Sequence, residues 1–310
     1  MIQNLGGTYL LDTNHMGFSG TVGVYVLSGI DGFALIETGP GSTLETVKQA
    51  IASLGLELKN LKAILVTHIH LDHAGAAGQL AQETGATLYV HERGAPHLVD
   101  PSKLLASAER IYGELMQPLW GTMTAAPKEK VVALAGGERL KIVGHDLEVI
   151  DTPGHASHHV SFLLNGETMF TGDAAAIRFD GSSVIRPALP PPEVNLEIWQ
   201  DSIEKMIAAK PKRLLLTHYG EVRDAEAHLR EVVKRNQEWA DLILEGLQKG
   251  EDARGLEHRL HDLSIKELSE MGASEEVIKR HRITSNDEMT VMGVTRYWQK
   301  YHPERVRSET

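Results

Sequence analysis

Short apolar runs alternate with amphipathic stretches along the first two thirds of the chain, and this pattern predicts strands interleaved with helices. The turn at residues 29–32 has a glycine at each end and predicts a hairpin. Strands are predicted at residues 22–27, 33–36, 63–66, 87–90, 131–134, 139–143, 147–150, 160–164, 169–171 and 213–216. Helices are predicted at about residues 43–54, 74–84 and 196–209. Such alternation is typical of a layered α/β fold.

A predicted helix at residues 102–116 interrupts the strands and begins a helical insertion that extends over about residues 102–120. Its apolar residues recur at helical spacing and form one face. Pro118 ends or kinks the helix. Two interpretations stay open: the helix covers the core, or it caps a substrate pocket. In the second case the expected apolar lining is Leu105, Tyr112, Met116 and Trp120.

The sequence changes character after residue 221, where strand signals stop and charged helical patterns begin. Helices are predicted at residues 225–247, 265–271 and 274–281, and a last apolar face contains Val291, Val294, Trp298 and Tyr301. We therefore predict a catalytic domain at residues 1–221 and a helical C-terminal extension at residues 222–310. Trp298 and Tyr301 are expected to serve packing or dimer contacts, which leaves a homodimer open.

Composition narrows the classes of function. The 310-residue chain is 42% hydrophobic, which supports a sizeable core, and its net charge of −11 makes nucleic acid an unfavourable partner. It contains no cysteine, which excludes thiolate metal sites and agrees with a reducing cytoplasm, the expected location. The N-terminus lacks a signal-peptide pattern and no apolar run reaches about 18 residues, so no membrane association is expected.

The densest group of metal-binding residue types follows the predicted strand at residues 63–66. It reads Thr67-His68-Ile69-His70-Leu71-Asp72-His73. These four donors cannot all face one direction on a strand, but a loop can direct them towards two centres a few ångströms apart. Neutral imidazole and carboxylate suit Zn²⁺, Fe and Mn²⁺. The segment therefore predicts a metal site.

Three more candidate ligands lie downstream, each shortly after a predicted strand. His155 ends the run Thr-Pro-Gly-His, Asp173 follows Gly172, and His218 follows Thr217. Because a rigid sheet positions the loops at its strand ends, these side chains can gather at one edge. No serine nucleophile is indicated, since residues 17–20 do not form a Gly-x-Ser-x-Gly elbow.

The ordered set Thr-His-x-His-x-Asp-His, Pro-Gly-His, Gly-Asp and a final His resembles the metallo-β-lactamase superfamily over roughly residues 5–220. The resemblance implies an α/β fold, a four-layer αβ/βα sandwich with its site at one edge, here with a helical C-terminal appendage. It also implies two metal sites with one bridging carboxylate. In that arrangement His68, His70 and His155 hold the first metal, Asp72, His73 and His218 hold the second, and Asp173 bridges.

By the same resemblance, a hydroxide that bridges the two metals cleaves an ester-like bond of a small-molecule substrate: a lactone, thioester or phosphodiester. Zn²⁺ is the expected metal, with Fe or Mn²⁺ as alternatives. Asp72 and Asp173 are the expected catalytic residues. The chain is most similar to the lactonase and hydroxyacylglutathione-hydrolase-like branch. The alternative function is an iron-dependent oxidoreductase of this fold, such as a persulfide dioxygenase.

Further residues are expected around the ligands. Glu37 stands where the family often has Asp, and His159 follows His155 at a spacing that the family shares, so both are expected to orient ligands. The candidates for contact with substrate are Tyr219, His158, Arg186 and Tyr112, and His15 is a further residue that could face the pocket.

Overall fold

The computed structural model describes residues 1–284 and 286–306, which form two mixed β-sheets with helices outside them. The first sheet contains, in spatial order, β1 (Ile2–Asn4), β2 (Thr8–Asp12), β3 (Gly23–Gly29), β4 (Gly32–Ile36), β5 (Leu61–Leu65), β6 (Thr87–His91) and β7 (Val131–Leu134). The second contains β8 (Arg139–Ile142), β9 (His145–Asp151), β10 (Val160–Leu164), β11 (Thr168–Phe170), β12 (Arg213–Leu216) and β13 (Gly220–Val222), in the spatial order β13-β12-β11-β10-β9-β8.

Helices lie outside the two sheets, and some of them connect parallel strands. The first group is α1 (Leu44–Ser53), α2 (Leu71–Ala74), α3 (Ala77–Thr84), α4 (Ala95–Val99), α5 (Ser102–Tyr112) and α6 (Met116–Trp120). The second is α7 (Leu196–Ala208), α8 (Ala225–Gln248), α9 (Ala253–Glu270), α10 (Glu275–Thr284), α11 (Asp287–Tyr301) and α12 (Pro303–Val306). Strands β4 to β7 pair in parallel, as do β11 and β12. A parallel pair needs a crossover, and α1, α3 and α7 lie in three of these connections.

Successive residues of the central strands alternate between two cores. In β3, Val24 and Val26 pack with the helices outside the first sheet, whereas Tyr25 and Leu27 pack between the sheets. A third core joins the second sheet to α7, α8, α9 and α11. The predicted four-layer αβ/βα architecture and the helical C-terminal region are therefore confirmed.

The helical insertion differs from the continuous helix predicted at residues 102–116. Helix α5 ends at Tyr112, Gly113 has a φ of 49°, and a single 3-10 turn leads into α6. Pro118 lies inside α6 rather than ending the helix. It is tolerated there because the first turn of a helix has amide groups without intrahelical partners.

The C-terminal region packs through apolar faces. Trp298 is fully buried and its indole N–H donates to the Ala240 carbonyl at 2.8 Å, which makes it a packing residue. Tyr301 is 38% exposed. Helix α9 begins at Ala253, well before the predicted start at residue 265. The helical pattern is hard to see in this first part because charged residues surround its buried Leu256. The division at residue 221 stays a prediction. Within the described residues, no helix is long and apolar enough to cross a membrane.

The sequence interpretation also missed three short strands, β1, β2 and β13. Each has five residues or fewer, so none offers enough alternation to be distinguished from a loop. The strand β2 matters for the site, because it leads into the loop that carries His15 and Thr21.

Candidate metal centre

The loop between β5 and α3 holds the densest part of the site. His68 and His70 follow β5, and Asp72 and His73 lie on the short helix α2. The backbone turn closes with the amide of His73 donating to the carbonyl of His70 at 3.1 Å. The predicted fanning of four donors from one loop is what the structure shows, since they divide between two groups.

The first group contains His68, His70, His155 and Asp173. His70 Nδ1 lies 2.9 Å from His68 Nε2 and 2.9 Å from His155 Nε2. The Asp173 Oδ2 atom lies 3.3 Å from His155 Nε2. Three imidazole nitrogens and a carboxylate oxygen thus converge on one point, as the ligand atoms of a metal would.

The second group contains Asp72, His73 and His218. The Nε2 atoms of His73 and His218 are 3.3 Å apart, and Asp72 Oδ2 lies 3.4 Å from His218 Nε2. These residues come from α2 and from the loop after β12, so both sheets contribute to the group.

Asp173 connects the groups. Its Oδ1 atom lies 3.2 Å from His73 Nε2 and 3.4 Å from His218 Nε2, while its Oδ2 atom faces His155. Oδ1 is buried without a hydrogen bond among the described residues. One oxygen towards each group is the geometry of the bridging carboxylate that the sequence predicts, and a buried orphan oxygen fits a bound cation.

Hydrogen bonds on the far side of three imidazoles decide which nitrogen carries the proton. His155 Nδ1 lies 2.8 Å from the Ala188 carbonyl, and His218 Nδ1 lies 2.7 Å from the Thr21 carbonyl. A carbonyl only accepts, so both Nδ1 atoms donate and both Nε2 atoms present lone pairs to the centre. Lone pairs that face each other repel unless a cation lies between them. The donor set therefore fits two metal ions.

Glu37 holds the third imidazole. It is fully buried, and its Oε1 atom lies 3.0 Å from His73 Nδ1 and accepts from the Thr67 hydroxyl at 2.6 Å. Thr67 Oγ1 lies 3.0 Å from His68 Nδ1, so one carboxylate reaches a ligand of each group. Glu37 stands in place of the family's Asp, and its longer side chain contacts both His73 and Thr67. Its backbone has a φ of 64°.

His159 contacts the backbone that carries Asp173. The Asp173 amide donates to His159 Nε2 at 3.2 Å, so Nδ1 carries the proton and donates to the Thr152 hydroxyl at 2.8 Å. Gly172, with φ of 48°, allows this approach, because a Cβ there would lie 2.7 Å from His159 Nε2. The structure thus places Glu37 and His159 behind the ligands, where the sequence predicts them.

Residues 17–218 match the Metallo-beta-lactamase superfamily, a span that includes both groups of ligands. The chain belongs to this superfamily. It is 31% identical to a metallo-beta-lactamase fold-containing protein of Sulfurisphaera tokodaii over 219 residues, which is 69% of this chain and 79% of that protein. It is 32% identical to a hydroxyacylglutathione hydrolase of Haemophilus influenzae over 139 residues, covering 43% of this chain and 58% of the relative.

A likeness in fold to one solved structure also includes the C-terminal helices. A metallo-beta-lactamase family protein from Thermus thermophilus superposes with a TM-score of 0.70 over 96% of this chain and 94% of its own. The two share 21% sequence identity, so the likeness concerns the fold alone.

Charges at this superfamily centre suit cations. Burial raises the pKa of Asp173, but His73, His155 and His218 outweigh it, so the pKa lies well below its usual range. Burial lowers the pKa of His68, and neighbouring imidazoles lower it further. Asp173 is therefore ionised and His68 neutral, which are the states in which these two groups bind metal. Burial lowers the pKa of His73 and of His218, but the neighbouring carboxylates outweigh it, so both pKa values lie above the usual range until a cation takes the place of the proton.

A cavity of about 550 Å³ opens over both groups of ligands, and His70, Asp72, His155, Asp173 and His218 form its floor. Walls come from α5 and α6, from the proline-rich segment after Arg186, and from the junction of α10 with α11. The insertion is thus a cap rather than a cover for the core alone. Of the two interpretations of the insertion, the structure supports the cap, and the C-terminal region lines the cavity as well.

Of the four residues predicted to contact substrate, two line the cavity and two do not. Tyr112 and Arg186 line the cavity, as do Trp120 and His15. His158 and Tyr219 are not among its lining residues: His158 stacks on His68 at 6.1 Å, and the Tyr219 hydroxyl donates to Asp12 at 3.3 Å. The geometry thus gives these two residues structural positions, so their role towards substrate stays a prediction without support from the cavity.

Two of the four predicted apolar lining residues also lie elsewhere. Leu105 and Met116 are not among the cavity's lining residues and pack instead on the core outside the first sheet. The sequence analysis missed Leu104 from the neighbouring face of α5, and Ile283 and Met289 from the C-terminal region. Leu104 belongs to the apolar face that the helical pattern predicts, whereas nothing in the sequence indicates that Ile283 and Met289 return to the site.

Proposed function

We propose that this protein is a binuclear metal-dependent hydrolase that cleaves an ester-like bond of a small molecule. The observation that carries the proposal is the carboxylate of Asp173, which directs one oxygen to each group of ligands at the floor of an open cavity. The matched hydroxyacylglutathione hydrolase supports the reaction type. Its name describes that relative, and the substrate of this chain is a separate question.

The chemistry that two divalent cations supply when bound is activation of water near neutral pH and polarisation of the scissile carbonyl. The chain's own contribution is rigidity. His73, His155 and His218 are each held through Nδ1, so their Nε2 atoms stay aimed at the centre without metal-induced rearrangement. Zn²⁺ is the metal that we propose, because imidazole and carboxylate ligands beside an open cavity suit catalytic zinc.

Asp72 is the proposed acid–base group. Its carboxylate is about a quarter exposed and lines the cavity, whereas that of Asp173 is nearly fully buried. A carboxylate at the surface of the floor can accept the proton that water loses as it attacks. The same group can deliver that proton to the departing oxygen or sulfur.

The test is removal and return of the metal. Protein stripped with a chelator is expected to lose hydrolysis of p-nitrophenyl esters, and Zn²⁺ at close to two ions per chain is expected to restore it. Asp173→Asn should prevent restoration, whereas Asp201→Asn, an exposed position on α7, should not. Hydrolysis that persists in fully stripped protein would contradict the proposal. Oxygen uptake that depends on iron would favour the oxidoreductase instead.

A further inference from the structure

The walls of the cavity are apolar beyond the metal floor. The insertion contributes Leu104, Ile111 and Leu119, and the opposite side contributes Ile177, Phe179 and Met289. The proline-rich wall, residues 187–192, adds pyrrolidine rings from a segment of restricted backbone. A large polar substrate would lose hydration against these apolar side chains, whereas an apolar one gains from their burial.

Exposed apolar side chains also surround this cavity. Met16 is 42% exposed, Ile111 is 42% exposed, Leu115 is 60% exposed and Ile283 is 45% exposed, and all four line it. They come from the N-terminal loop, from the insertion and from α10. Large apolar side chains that converge from separate segments onto one opening mark a binding surface, because isolated ones are normally scattered.

Charge in the lining points the same way. Within the described part of the chain, the charged lining residues are Asp72, Asp173, Arg186 and Glu288. Arg186 is buried, and its Nη2 atom lies 2.9 Å from Asp287 Oδ1 while its guanidinium lies 5.7 Å from the Trp239 ring centre. The one cation in the lining is therefore already neutralised. Away from the metal floor, the described walls therefore offer no unpaired cation to a substrate carboxylate or phosphate, and Glu288 would repel one.

We infer that the substrate is a neutral carboxylic ester with an apolar acyl chain of medium length. The acyl chain of this substrate lies between α5–α6 and the start of α11, and the carbonyl group of the ester lies over the floor formed by Asp72, Asp173 and the histidines. This inference rests on the proposed function and adds the substrate class. A cavity of about 550 Å³ is within the range that encloses a small organic ligand.

The reaction that follows is hydrolysis. The oxygen of water bonds to the acyl carbon, the bond from that carbon to the alcohol oxygen breaks, and the proton from water passes to the alkoxide. The products are a fatty carboxylic acid, which releases its remaining proton to solvent as it becomes the carboxylate, and an alcohol. No oxidant or reductant is needed.

The first measurement is a chain-length profile with p-nitrophenyl acetate, butyrate, hexanoate, octanoate and palmitate on the zinc-loaded protein. We expect kcat/KM to rise by up to about fourfold for each methylene that becomes buried, and to fall again for palmitate. A glutathione thioester, which carries free carboxylates, is expected to be the poorer substrate. A flat profile, or preference for the glutathione thioester, would overturn the inference.

A paired substitution locates the acyl chain. Met289→Trp fills the cavity from α11 and should lower kcat/KM for octanoate by about tenfold relative to acetate. Met292→Trp is the matched control, because Met292 lies on the same helix, is 43% exposed and is not among the lining residues. Equal profiles for the two variants would place the acyl chain elsewhere. A change of oligomeric state in Met289→Trp that explains the loss of activity would likewise remove the reason to place the acyl chain beside Met289.

Binding without hydrolysis separates this inference from the proposed function. Octanamide is neutral and resists cleavage, and calorimetric titration into wild-type protein should show binding that Met289→Trp weakens and Met292→Trp does not. If octanamide binds but no ester is hydrolysed, the proposed function fails and the apolar cavity stands. If short esters are hydrolysed but octanamide does not bind, the hydrolase stands and the substrate class is wrong.

Discussion

The metal end of the cavity and its outer walls hold their side chains by different means. At the metal end, His73, His155 and His218 are buried, and each is fixed by a hydrogen bond from behind. At the outer walls, Ile111 and Leu115 are exposed apolar side chains on a short insertion. The hydrogen-bonded end tolerates little change of geometry, whereas an apolar wall can change shape without leaving a polar group unpaired. If the proposed function holds, we expect catalysis and specificity to depend on different kinds of interaction.

The largest effect is expected from the carboxylate between the two groups. Asp173→Ala should reduce kcat/KM more than His159→Ala, because His159 contacts Asp173 through its backbone amide rather than its carboxylate, and such supporting residues typically contribute about 10–100-fold. Metal content measured with activity separates loss of ligand from loss of fold. Equal activity of the two variants at full metal content would show that Asp173 does not join the groups.

The next effect divides the metal end itself. His218→Ala should remove the metal of the second group first and leave the first group partly occupied. The reason is that His218 lies beside His73 and Asp72 and is not one of the ligand residues of the first group. Zinc titration of the His218→Ala variant, monitored by calorimetry, would give two unequal affinities. The control His258→Ala, at an exposed position on α9, should behave as wild type. Loss of both metals together at equal affinity would contradict two separable sites.

How far the sequence predicts the molecule follows the same division. The ligands lie in short motifs after strands, so His68, His70, Asp72 and His73 are visible together in the sequence. The groups that fix His155 and His218 are the backbone carbonyls of Ala188 and Thr21. Every residue has a carbonyl, so no residue type marks these acceptors. The fold is required to place them.

The outer walls were harder to predict for another reason. Arg186 pairs with Asp287 across 101 positions, and this contact accompanies the approach of α11 to the proline-rich segment. Helical periodicity shows which face of a helix is apolar but not which surface it covers. Hence the expected lining includes Leu105 and Met116, which pack on the core, while Leu104, on the neighbouring face, lines the cavity together with the expected Tyr112 and Trp120.

A smaller effect is expected where one wall side chain serves two purposes. Tyr112 both lines the cavity and packs on the core, whereas Met116 does only the second. Tyr112→Ala should change the relative kcat/KM among esters with metal content intact, and Met116→Ala should lower the melting temperature while leaving the ratios unchanged. A substrate panel with thermal unfolding of both variants makes the comparison. Parallel loss on every ester for both would make the insertion structural.

The smallest effect concerns acid stability of the region behind the outer wall. Burial lowers the pKa of His228 on α8 to about 4, and His228 Nε2 donates to the Ala175 carbonyl at 2.9 Å. The folded state thus keeps this imidazole neutral, while the unfolded chain takes up a proton near pH 6.5. Because the unfolded state then binds more protons, the stability that His228 contributes is complete above pH 6.5. It decreases as the pH falls towards 4.

The slope attributable to this one imidazole approaches about 1.4 kcal/mol per pH unit within that window. Urea unfolding between pH 7.5 and 4.5 measures it, and His228→Gln should remove it while keeping a donor for the Ala175 carbonyl. His258→Gln makes the same substitution at an exposed position of the C-terminal region and should retain the wild-type slope. The metal-centre histidines titrate equally in all three proteins, so their contribution cancels in the difference. If His228→Gln and wild type lose stability in parallel, the outer wall does not depend on a neutral His228, and the acid sensitivity belongs to the metal end.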